Sequence, residues 1–121
     1  MDNLLFVATG HGLLTFKREG ETWHEIVRGL TGRRVTSVSA RESATIAGTT
    51  EGIFRSDDLG QTWQMASAGL ATLHMRWLAY HPEVSALAFA GTEPATIFVS
   101  SDGAETWREC PEVAKLRDEL G

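Results

Sequence analysis

The sequence predicts an all-β repeat protein, and three observations carry that expectation. A threonine–tryptophan pair ends at Trp23, Trp63 and Trp107, at spacings of 40 and 44 residues. Before each pair come a small-residue apolar segment, a Gly/Thr-rich turn and a second short apolar segment. The three copies are V-A-T-G-H-G-L-L-T-F from Val7, I-A-G-T-T-E-G-I-F-R-S from Ile46 and F-A-G-T-E-P-A-T-I-F-V-S from Phe89. Farther upstream, V-T-S-V-S-A (Val35 to Ala40) and M-R-W-L-A-Y-H-P (Met75 to Pro82) alternate apolar and polar residues, as half-buried strands do.

The unit is therefore four short strands joined by tight turns over about 40–45 residues, the length of a β-propeller blade. With strands named A to D from the axis outward, the first copy holds B, C and D only. The second and third are complete, so the chain carries about 2.75 blades of four antiparallel strands. Expected bounds are residues 4–28, 34–67 and 75–110 for the three blades, within one partial propeller over 1–110. Residues 111–121 form a tail in which Val113, Leu116 and Leu120 fall at helical spacing among charges, so a short helix or frayed end is expected.

Composition narrows the class. A chain of 121 residues with 42% apolar and 22% charged residues and four tryptophans is one globular domain rather than a disordered segment. The net charge of −5, with no basic run longer than Arg33-Arg34, argues against a nucleic-acid partner. Cys110 is the one cysteine and has no partner for an intrachain disulfide or a thiolate metal site; it is expected to be inert. His11, His24, His74 and His81 lack metal-ligand spacing. No phosphate loop surrounds Gly10, so neither metal nor cofactor is expected. The opening M-D-N-L-L-F-V-A-T-G has an acid where a secretory signal carries positive charge, and no segment reaches membrane-spanning length. A cytoplasmic location without a membrane partner is the expectation.

The stretch S-D-D-L-G-Q-T-W, Ser56 to Trp63, falls at the hairpin between strands C and D. Turn physics assigns its parts. Asp58 accepts hydrogen bonds from amides that the turn leaves unpaired, helped by hydroxyls such as Thr62. Gly60 supplies a backbone angle that other residues resist, and Trp63 packs its ring into the seam with a neighbour. S-S-D-G-A-E-T-W repeats it at Ser100, Asp102, Thr106 and Trp107 with Ala104 in the glycine place. The first copy, F-K-R-E-G-E-T-W, keeps Gly20, Thr22 and Trp23, with Phe16 and Arg18 where serine and aspartate belong.

This S-x-D-x-G-x-T-W pattern resembles the Asp-box, or bacterial neuraminidase (BNR) repeat, of sialidases, xyloglucan-active glycosidases, sortilin-like receptors and a photosystem assembly factor. The likeness spans roughly residues 4 to 110. It implies a propeller with the boxes on one rim, away from the face that carries function. That opposite face would present His11, Thr50, Glu51 and Glu93 from B–C turns and Arg33, Arg34 and His74 from D–A loops. These are the ligand-face candidates, against a plain reading as solvated loop residues.

The resemblance also implies what an enzyme of this kind needs. Sialidases of the family use an arginine cluster with an R-I-P motif and a tyrosine–glutamate pair. No R-I-P occurs here, and Tyr80, the only tyrosine, sits in A-Y-H-P at a strand end, where packing is expected. Glycosidases need two carboxylates about 5–10 Å apart. Asp58 and Asp102 are used in turns, which leaves Glu51 and Glu93 as a remote catalytic pair. Trp77 reads as core on an inner strand, with an exposed sugar platform as the alternative. Fewer than three blades cannot close a ring, so a homo-oligomer or a piece of a longer propeller is expected. The reading is a non-catalytic binding or scaffold module for a glycan or protein ligand. The alternative is part of a sialidase-like or xyloglucanase-like glycoside hydrolase whose catalytic residues lie outside the chain or across chains.

Overall fold

The computed structural model describes residues 3–41 and 44–120. Met1 and Asp2 of the expected propeller span, Glu42 and Ser43 of the expected second blade, and Gly121 of the expected tail lie outside the described residues. Three antiparallel sheets follow one another along the chain. The first contains β1 (Leu4–Thr9), β2 (Gly12–Glu19) and β3 (Thr22–Gly29) in that order. The second contains β4 (Val35–Arg41), β5 (Ala44–Thr49), β6 (Gly52–Ser56) and β7 (Gln64–Met65). The third contains β8 (Met75–Tyr80), β9 (Ala88–Thr92), β10 (Ile97–Ser100) and β11 (Arg108–Glu109). A helix, α1 (Pro111–Leu120), follows the third sheet. These are propeller blades, and among the described residues the first lacks its inner strand.

Each hairpin follows from local chemistry. The β1–β2, β5–β6 and β9–β10 turns are each tied by a threonine. Thr9 Oγ1 donates to the Gly12 carbonyl at 2.7 Å, Thr49 Oγ1 to the Gly52 carbonyl at 2.9 Å and Thr92 Oγ1 to the Pro94 carbonyl at 2.7 Å. The third turn is longer and carries a cis Glu93–Pro94 bond. Bulges between Val35 and Ser37 and between Met75 and Trp77 shift the register of the two inner strands. That breaks the simple alternation read from their sequences.

The core is divided between the two joints. Leu13, Val35 and Ala47 are buried between the first and second sheets, with Phe6, Val38 and Trp63 packed against them. A larger cluster between the second and third sheets includes Ile46, Ile53, Met75, Leu78, Phe98 and Trp107. The small residues of the B strands have a packing reason. A Cβ on Gly48 would come within 2.9 Å of Met75 Cβ and 3.0 Å of Leu78 Cδ2, so only glycine lets the third sheet approach this closely.

Trp77 departs from the expected core position. It is 50% exposed, because no further sheet among the described residues covers the face of β8 that it occupies. Leu5 (46% exposed) and Ile26 (50%) are likewise uncovered on the first sheet. The described residues thus have two open flanks, one at each end of the row of blades.

Candidate functional site

The C–D hairpins of the second and third sheets are organised by their serine, aspartate and threonine. Ser56 Oγ donates to Asp58 Oδ1 at 2.7 Å and accepts the Gly60 amide at 2.8 Å. Asp58 accepts the Thr62 amide at 2.9 Å and the Thr62 hydroxyl at 2.5 Å. Hydrogen bonds to the Thr62 hydroxyl, then to its amide, hold the Asp58 carboxyl down at about 2. Asp102 is held at about 2 by the same two groups of Thr106, and Ser100 Oγ accepts the Ala104 amide at 2.9 Å. Ala104 takes φ +78° where Gly60 has +89°, a conformation that disfavours a side chain. Its methyl is fully buried in the larger core cluster.

The tryptophans that follow point backwards along the chain. Trp107 is 5% exposed and donates its indole N–H to the Ala66 carbonyl of the second sheet's edge at 2.9 Å. Trp63 is half-buried against Gly29 of the first sheet, where a Cβ would overlap the indole nitrogen. Trp23 is the correction. It is 41% exposed, paired with Arg18 in a plain two-residue hairpin, because no described sheet precedes the first to receive it. Gly20 keeps a positive φ of 65° there, while Thr22 pairs with Glu19 in the ladder instead of tethering a carboxylate.

The opposite rim carries the ligand-face candidates, and the structure brings six of the seven together in pairs. Glu51 Oε1 lies 3.9 Å from Arg33 Nη1, whose guanidinium sits 4.5 Å over the Phe54 ring. The Thr50 amide donates to the Arg34 carbonyl at 3.2 Å, and the Glu93 amide to the His74 carbonyl at 3.0 Å. The Gly32 amide donates to the His11 carbonyl at 2.9 Å. Each D–A loop is therefore stitched to a B–C turn by the backbone. A shallow cleft of about 340 Å³ opens beside His11, between Thr9, Leu14, Arg28 and Thr31.

Sequence reasoning missed Arg76, whose Nη1 lies 3.6 Å from Glu93 Oε2. Its signal was a cation one residue past the start of an inner strand, the position that Thr36 holds in the second sheet. Glu51 and Glu93 thus each stand beside an arginine, with side chains 70% and 58% exposed.

Tyr80 is half-buried against the larger core and donates its hydroxyl to the Gly103 carbonyl at 3.2 Å. Arg55 Nη1 reaches the same carbonyl at 2.6 Å, so Arg55 clamps the second blade to the third. Burial pushes the Tyr80 phenol up. His81 Nδ1 accepts the Glu83 and Val84 amides, each at 3.0 Å, a turn-forming role. Among the described residues, no cluster of three or more His, Cys, Asp or Glu is placed to hold a metal ion. None of the described helices is long and apolar enough to cross a membrane.

No protein-family profile and no curated protein matches this chain. Solved structures do. "YCF48 bound to D1 peptide" superposes with a TM-score of 0.68 at 18% identity, over 88% of this chain and 37% of that one. YCF48 from Cyanidioschyzon merolae gives 0.66 at 20% identity, over 88% and 33%. The chain spans about a third of the length of these structures. The likeness is one of fold, and it agrees with the strand order described above: the chain is built of β-propeller blades.

Proposed function

We propose that this chain is an Asp-box (BNR-repeat) propeller segment that acts as a non-catalytic binding or scaffold module for a polypeptide ligand. The observation that carries the reading is the pairing on the loop rim. Arg33 with Glu51 and Arg76 with Glu93 put alternating charge on a surface whose loops are pinned by backbone hydrogen bonds. A pinned, polar rim with exposed guanidinium and carboxylate groups suits recognition of an extended peptide's backbone and charged side chains. YCF48 bound to a D1 peptide is a precedent for a polypeptide ligand on this fold. The open flanks fit use within a larger ring, as a homo-oligomer or as part of a longer propeller.

A random peptide library displayed on phage tests the reading. Selected peptides are expected to lose at least tenfold in affinity for the Arg33→Glu variant while its melting temperature stays within about 2 °C of the parent. Peptides that bind both proteins equally overturn it. So does turnover of fluorogenic sialosides or glucosides that Glu51→Gln or Glu93→Gln abolishes, which would support the glycosidase alternative instead.

A further inference from the structure

The first sheet has three strands where the others have four, and the missing position is the innermost. Along one whole edge, β1 (Leu4–Thr9) has no strand beside it among the described residues. The joint between the second and third sheets shows what normally stands there. Strand β4 reaches across to β8 with its hydroxyls. Thr36 Oγ1 donates to the Met75 carbonyl at 2.6 Å, Ser37 Oγ accepts the Leu78 amide at 3.2 Å, and Ser39 Oγ accepts the Tyr80 amide at 3.1 Å. By the repeat, the amides of β4 that correspond to Leu78 and Tyr80 are those of Val38 and Ala40. No side chain among the described residues reaches either of them.

We infer that the β1 edge is a docking slot for one extended polypeptide strand, antiparallel to β1, that presents hydroxyl side chains to the Val38 and Ala40 amides. Two surfaces define the slot. The free edge of β1 supplies a ladder of backbone donors and acceptors, the basis of strand addition. The neighbouring face of β4 supplies the two amides. The chemistry of the occupant follows from the strand that already fills this place one blade later: β-branched apolar residues with serine or threonine in the T-S-x-S spacing of Thr36, Ser37 and Ser39.

The β1 edge does not complement itself, because L-L-F-V-A-T carries no hydroxyls in the T-S-x-S spacing. The inference rests on the three-stranded first sheet and stands whether or not the loop rim binds a ligand.

The test uses the full 121-residue chain and a synthetic peptide of residues 34–41, R-V-T-S-V-S-A-R, with blocked ends. Saturable one-to-one binding is expected. Hydrogen exchange at Leu4–Thr9 should slow at least tenfold on saturation, with exchange at β11 unchanged. A peptide with alanine in place of its threonine and two serines should bind at least tenfold more weakly. Because that change is made in the peptide, the fold of the protein is not at issue. Absence of binding, protection elsewhere than β1, or equal binding of the alanine peptide each overturns the inference. So does a concentration-dependent dimer in which β1 is already protected without peptide.

Discussion

The two joints between blades are built from the same repeat, yet they are not equals. Between the second and third sheets, Trp107 is buried and its indole bonds to the partner sheet's edge at Ala66. The inner strands are laced by Thr36, Ser37 and Ser39, and Arg55 and Tyr80 share the Gly103 carbonyl. Between the first and second sheets, Trp63 is only half-buried and its indole bonds to Gly60 of its own turn at 3.1 Å. Thr15 stands where Arg55 does, and its buried hydroxyl has no partner among the described residues. Nor does any described inner strand of the first sheet face β4. The S-x-D-x-x-x-T-W segments thus set their own turns, whereas the strength of a joint depends on what the preceding blade offers.

The largest test of this contrast is truncation of the tryptophans. Trp107→Ala should destabilise by about 3–5 kcal/mol, as loss of a fully buried aromatic does. Trp63→Ala should cost about half of that, in keeping with its partial burial. Trp23→Ala should fall within about 0.5 kcal/mol of the parent. Urea unfolding of the three variants checks the order, and equal losses at Trp63 and Trp107 would erase the distinction between joints.

Acid should come next in size. Asp58 and Asp102 have folded values near 2 against an ordinary 3.8. A depressed carboxyl stabilises the fold fully above its unfolded value and loses that contribution as pH falls through the folded one. The urea midpoint should therefore drop between about pH 4 and pH 2. The drop should be smaller in Asp58→Asn and Asp102→Asn.

The smallest effect concerns the third hairpin. Ala104→Gly relieves roughly 1–2 kcal/mol of left-handed strain. It also forfeits about 0.8 kcal/mol of methyl burial and adds roughly 0.5–1 kcal/mol of chain entropy to the unfolded state. The terms nearly cancel, so a melting temperature within about 2 °C of the parent is expected. A large rise would mean that the strain outweighs the packing.

What the sequence made legible was local. The hydrogen bonds of Ser56, Asp58 and Thr62 span two to four residues, so their spacing alone announces the turn. The Thr36–Met75 and Arg55–Gly103 contacts join residues 39 and 48 apart, and no spacing rule points to them. Trp23 shows the limit from the other side. Its motif is recognisable, but burial depends on a neighbour that the motif does not contain. On the loop rim, the candidate residues followed from the strand order. Their pairing as Arg33 with Glu51, and the part played by Arg76, depended on side-chain reach between loops.

The backward-pointing tryptophans also set a schedule. Synthesis runs from the N-terminus, and domains begin to fold as they emerge. Gly29 leaves the ribosome before Trp63, and Ala66 and Gly69 leave before Trp107. The second and third blades therefore each emerge after the residues that receive their tryptophan. Gly29 and Gly69 both lie six residues after their blade's tryptophan, and a Cβ at either would overlap the next tryptophan residue. The third position in that series is Val113, inside α1. There the described residues have a helix rather than a glycine socket.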